Sequence, residues 1–124
     1  MLKGLIQGLT KNVACFDDSD DDPRLHRPNI MSDRNDVIDR LRSWAENRSR
    51  WQIEKVFEES GQTHIWLTRQ TRVIRFTDDV KLVLNDADGT TMIDGESRSR
   101  IGKGDLGQNA RNLIEIRSAL ANHG

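Results

Sequence analysis

Between residues 36 and 48 the apolar positions Val37, Ile38, Leu41, Trp44 and Ala45 recur at helical spacing, which predicts a helix with one apolar stripe. Asp36 and Asp39 suit the positive end of its dipole. The period then changes to two. Trp51, Ile53 and Phe57 share one phase of an extended segment while Gln52, Glu54 and Glu58 share the other, the alternation of a strand with one wet face. Ser60-Gly61-Gln62 turns the chain, and 64–69 and 72–76 follow as extended segments rich in Ile, Val, Thr and Trp. Val80, Leu82 and Leu84 alternate with Lys81 and Val83. Asp88-Gly89 closes a hairpin into 91–93, and Asp94-Gly95 marks a bulge or second turn before 96–101. Ala110, Leu113, Ile114, Arg117, Leu120 and Ala121 predict a last helix, with Asp105 as its cap and Gln108 closing a capping box. Strands grouped between two helices, with no alternating strand–helix units, predict an α+β fold. We expect a single domain: an antiparallel sheet of four to six strands with an N-side helix and a C-terminal helix packed on one face.

The first 27 residues read differently. Leu2, Leu5, Ile6, Leu9 and Val13 line one face of a short helix, which packs on the domain, docks to a membrane surface or a protein partner, or frays. Asp17-Asp18-Ser19-Asp20-Asp21-Asp22 crowds five carboxylates into six positions, which predicts a solvated linker. A calcium loop counted from Asp17 would need glycine at its sixth position and glutamate at its twelfth, where Asp22 and Pro28 stand. Residues 1–27 are therefore set apart as an amphipathic segment and linker, and 28–124 as the domain. Pro23 to Asn35 reads as irregular, with Pro28 disfavouring helix at Arg27.

Composition narrows the function. The chain has 124 residues, with 19 Lys or Arg against 20 Asp or Glu. A formal charge of −1 removes the polyelectrolyte attraction that drives general nucleic-acid binding, so no nucleic-acid partner is expected. Cys15 is the one cysteine, which rules out an intrachain disulfide and leaves a cysteine-based metal site short of ligands. No apolar run approaches a bilayer span, and no continuous h-region follows Lys3, so a cytoplasmic protein is expected.

Gly102-Lys103-Gly104-Asp105-Leu106-Gly107 matches G-x-G-x-x-G between a predicted strand and a predicted helix. A dinucleotide site also needs a returning parallel strand and an acidic ribose ligand about 20 residues on. The sequence after that helix offers neither, and no cofactor is expected. A phosphate loop fails too, because Lys103 is followed by Gly104 where a hydroxyl should bind magnesium. The segment supports a simpler chemistry. Arg98, Arg100 and Lys103 precede a helix N-terminus, a place where a small anion can bind; Arg98, Ser99, Arg100, Lys103, Asp105 and Asn109 are the candidate ligand residues. The opposing reading has Asp105 occupying the helix N–H groups and the arginines pairing with nearby carboxylates. In a strand, Glu96, Arg98 and Arg100 face one side and Ser97, Ser99 and Ile101 the other.

Asp78 and Asp79 are adjacent, so in a strand their side chains diverge and a shared-proton dyad is disfavoured. One could pair with an arginine such as Arg100, and either is a weak candidate for a general base. His26, His64 and His123 lack metal-site spacing, and His64 beside Trp66 suits a sheet surface. Cys15 has no basic activator. Trp44, Trp51 and Trp66 are expected in the core.

Phe76-Thr77-Asp78-Asp79-Val80 and the later run Ser97-Arg98-Ser99-Arg100-Ile101-Gly102-Lys103-Gly104-Asp105-Leu106-Gly107-Gln108-Asn109 resemble the signature of a domain-of-unknown-function family numbered 1499. Its members carry F-x-D-D-V and then R-S-x-S-R-x-G-x-S-D-x-G-x-N-R before a final helix. Pro28-Asn29-Ile30-Met31-Ser32 is similar to their upstream P-N-C-V-S element, so the resemblance spans about 28–120. It implies Asn29, Ser32, Phe76, Asp78, Asp79, Ser97, Ser99, Arg100, Gly102, Asp105, Gly107 and Asn109 as family positions. Glu96, Ile30, Gly104 and Ala110 depart from the pattern, removing two basic positions and the family's cysteine. The resemblance implies no established activity, and some relatives look exported, lipid-anchored or plastid. It also implies that the glycines form a strand-to-helix corner.

The expectation is a non-catalytic accessory or binding module with a polar, anion-binding corner. One alternative is a small hydrolase or isomerase with Asp78 or Asp79 as base and Arg100 for an anionic substrate. The other is an interaction module docking through the N-terminal segment.

Overall fold

Alternation of period two through residues 51–99 builds four long strands that turn their apolar positions to one side. The computed structural model describes residues 12–71, 76–100 and 107–121. In chain order the elements are β1 (Val13–Cys15), a 3-10 turn (Pro23–Leu25), β2 (Asn29–Ile30), α1 (Arg34–Glu46), β3 (Trp51–Glu59), β4 (Gln62–Gln70), β5 (Thr77–Ala87), β6 (Thr90–Ser99) and α2 (Gln108–Ala121). They form the expected α+β fold: a six-stranded antiparallel sheet ordered β1-β6-β5-β4-β3, with β2 also pairing to β6. The turns Ser60-Gly61 and Asp88-Gly89 join β3 to β4 and β5 to β6, with φ of 54° and 75° and of 52° and 86°. Two successive positive φ values match the right-handed twist of the strands they connect.

The core lies between the sheet and the helices. Ile65, Leu67, Val80, Leu82, Leu84 and Ile93 face inward and are buried. Against them α1 places Val37, Leu41 and Ala45, and α2 places Leu113, Ile116 and Leu120. α2 lies over β6 and β1, α1 packs toward β3 and β5, and the helices touch each other. Asp33 caps α1 by accepting from the Asp36 N–H at 2.8 Å. The helix accordingly starts two residues before the predicted boundary at 36 and ends at Glu46.

Several expectations are corrected by packing. The segment set apart as a linker is built into the domain from Asn12 onward. Val13, expected on a helix, pairs with Arg98 in β1. The buried Phe16 donates its N–H to Gly95 O at 2.9 Å, and Leu25 is buried in the same core. The acidic run folds because its carboxylates find donors. Asp17 accepts from Ser19 N, Asp18 from Arg27 N and its guanidinium, and Asp22 from Arg24 N and its guanidinium. Those hydrogen bonds hold all three carboxyls below the ordinary aspartate range.

Gly95 is neither turn nor bulge but lies within the continuous β6. A Cβ there would stand 2.7 Å from Phe16 Cδ2 and 3.0 Å from Leu82 Cδ2, so glycine admits the phenyl ring. The bulge falls instead in β3, between Ile53 and Lys55. One extra residue reverses the faces. Val56 opposes the inward Ile65, while Phe57 goes to the outer face opposite His64. There Phe57 stacks on His64 at 4.9 Å and meets Trp66 edge-on at 5.2 Å. Trp66 therefore lies outside the core, with Lys81 over its ring at 4.9 Å. Phe76 is exposed and precedes β5; the rest of the strand predicted at 72–76, the N-terminal stripe Leu2–Leu9, and Gly102 to Leu106 lie outside the described residues.

Candidate functional site: the polar corner under the last helix

Alternation alone turns Asp78 inward on β5 and Ser97 and Ser99 inward on β6, leaving Asp79, Arg98 and Arg100 outward. The register then sets Asp78 opposite Ser99 and Asp79 opposite Arg98. On α2, Asn109 and Asn112 are three residues apart and so share a face. That face meets the inward polar positions of the strands.

The result is a connected buried network. Ser97 Oγ donates to Asn109 Oδ1 at 2.7 Å, and Asn109 Nδ2 donates to Ser99 Oγ and to the Asn12 carbonyl, each at 2.9 Å. Asn112 Nδ2 donates to Asp78 Oδ2 at 2.8 Å and to Ser97 Oγ at 3.2 Å. Gln108 Nε2 completes the chain by donating to Asn112 Oδ1 at 2.8 Å. Asp78 is 2% exposed, and Ser97, Asn109 and Asn112 have no exposure at all. Buried polar groups at this density are stable only when paired.

Outside the sheet the arrangement is different. Arg100 Nε and Nη2 each donate to Asp79 at 2.9 Å, a bidentate pair across strands. The Arg100 hydrogen bonds hold the Asp79 carboxyl below the ordinary aspartate range, against some desolvation. Arg98 reaches Glu96 at 3.3 Å. The two described arginines of the candidate anion site thus face away from the serines and carry carboxylates already. Ser99 and Asn109 are inside, joined to each other. Lys103 and Asp105 lie outside the described residues.

Chemically, the network holds a carboxylate, three amides and two hydroxyls in one chain. The Ser97 hydroxyl donates to an amide oxygen rather than to a base, so it is not activated for attack. Among the described residues no group of three or more His, Cys, Asp or Glu could hold a metal. His26 Nε2 lies 2.8 Å from the Asp20 carbonyl, and His64 is on the outer face against Phe57. Cys15 is an exposed residue, yet partial desolvation and then the Glu96 carboxylate push its thiol up, Arg98 acting the other way. A protonated thiol is a poor nucleophile. Asn112 is the member that sequence reasoning missed. Its spacing from Asn109 was the available signal: two asparagines one helical turn apart among buried apolar positions.

Comparison with known proteins follows the same outline. The model of a family described as "Protein of unknown function (DUF1499)" matches residues 6–120. No curated protein and no solved structure matches the chain.

Proposed function

The chain belongs to the DUF1499 family, and from that premise we propose that it is a non-catalytic binding module in which the polar corner fastens α2 to the sheet. One observation carries this reading: the polar side chains gathered at the strand–helix junction are hydrogen-bonded to one another. Asp79, the more accessible of the two candidate bases, has both oxygens on Arg100. Asp78 is buried and turned to Asn112. An anion arriving at Arg98 and Arg100 would have to displace Glu96 and Asp79, so the corner's role is cohesion and ligand recognition falls to other parts of the surface.

The test joins stability with titration. Asn109→Ala leaves the Ser97 O–H without its acceptor and the Ser99 hydroxyl oxygen without its donor, and is expected to cost roughly 2–6 kcal/mol in urea unfolding, at about 1–3 kcal/mol for each of the two groups. Titrating folded wild-type protein with inorganic phosphate and sulfate should leave the amide signals of 97–99 and 109–112 unchanged. A saturable shift there would make the corner a ligand site. Turnover of any ester or phosphoester that Asp78→Asn or Asp79→Asn abolishes would overturn the non-catalytic reading.

A further inference from the structure

Arginine carries five donors and a charge it cannot lose, so a guanidinium turned inward without a carboxylate is chemically suited to an oxyanion. Arg69 is such a residue. It occupies an inward position on β4 between its register partners Trp51 on β3 and Asp78 on β5. Asp78 is engaged by Asn112, and Arg69 Nε is buried with no hydrogen-bond partner. Where α1 hands over to β3, residues 47–50 bring Arg48 and Arg50 to the same recess. Neither forms an ion pair among the described residues; Arg48 instead lies over the Trp44 ring at 5.9 Å.

The recess has a volume of about 300 Å³, and Glu115 is its one acidic lining residue. It adjoins a groove of about 900 Å³ between α1 and α2, with which it shares Asn47, Arg48 and Glu115. The groove adds the apolar surfaces of Trp44 and Ile114. Two of its own arginines are paired, Arg24 with Asp22 and Arg40 with Asp36, while Arg111 donates to Gln108 Oε1 at 3.0 Å. Arginines without an ion pair among the described residues thus gather in the recess, and apolar surface lies along the groove. The chain as a whole carries −1, so this is a local feature suited to a small ligand and unlike a polyanion track. The groove lies in the ordinary range for small-molecule sites, roughly 300–1,000 Å³.

We propose that this cleft binds a phosphomonoester, with the phosphoryl oxygens against Arg48, Arg50 and Arg69 and the organic portion along Trp44 and Ile114. Three arginines lining one recess suit a dianion with three terminal oxygens better than a carboxylate with two. Glu115 receives the Trp51 indole N–H at 3.3 Å, which steadies the one opposing charge at the rim. The inference deepens the binding-module reading by naming a site and a ligand class, and it uses none of the corner's residues as ligands.

Phenyl phosphate is the probe, with inorganic phosphate, benzoate and phenol for comparison, followed by amide shifts and tryptophan fluorescence. Saturable changes are expected at 44–51, 69 and 115, strongest for phenyl phosphate, weaker for inorganic phosphate and benzoate, and absent for phenol. Arg48→Gln and Arg50→Gln should each weaken binding about tenfold, in keeping with the loss of one charge-assisted hydrogen bond. Arg69→Gln should weaken it at least as much; where that variant fails to fold, the two loop variants carry the test. Glu115→Gln should tighten binding. The proposal is overturned by no saturable response in wild type, by a response indifferent to Arg48→Gln and Arg50→Gln, or by equal binding of benzoate. Such a failure with silent signals at 97–99 and 109–112 removes the cleft and leaves the fastening role standing.

Discussion

At Asp79 both carboxylate oxygens are held by one guanidinium, and the pH response follows from that pairing. A carboxyl whose folded pKa is lowered stabilises the fold above its unfolded value and loses that contribution as acid titrates it. Wild type is therefore expected to be more stable than Asp79→Asn at about pH 7. The difference should close as pH falls from the ordinary value of 3.8 to below it, measured by urea unfolding across that range. An unchanging difference would show that the substitution acts through packing. Both partners are substantially exposed, so the effect is small beside the loss expected at Asn109. Much of this was legible. Adjacent strand residues diverge, so Asp78 and Asp79 had to take opposite sides, and Arg100 shares a sheet face with Asp79. Asn112 was harder to see, because its importance depends on how α2 is rotated above β6.

Among the elements, β6 shows most clearly how a residue that looks like punctuation can serve packing. Asp94-Gly95 resembles a turn, yet the chain runs straight through it and Phe16 lies over the bare Cα. Gly95→Ala should destabilise the protein by about 1–3 kcal/mol through overpacking, and Phe16→Leu in the same chain should recover part of the loss. Equal destabilisation with and without Phe16→Leu, read from thermal unfolding, would mean the phenyl ring is not the obstacle. The β3 bulge teaches the complementary lesson. A strict period of two puts Phe57 inward with Trp51, but one inserted residue at Ile53/Lys55 sends it to the outer face. Periodicity fixes which residues share a face only while the ladder is regular.

For the molecule as a whole, residues 12–27 decide where the fold begins. β1 and β2 both lie on the outer side of β6, and Phe16 and Leu25 belong to the main core. Removing residues 1–16 is therefore expected to lower the melting temperature and expose hydrophobic surface to a reporter dye, because it strips an edge strand and the ring that fills the space above Gly95. A truncated chain with unaltered unfolding would return those residues to the status of a linker. By itself the sequence determined the periods, the hairpin turns, the antiparallel class and the inward or outward sense of most strand residues, since each depends on neighbours within a few positions. The tertiary structure alone decided that Asn12 meets Asn109, that Asn112 reaches Asp78, and that Arg48 and Arg69 border one recess. Those meetings depend on the rotation and translation of whole elements against one another, and only the packed core sets these.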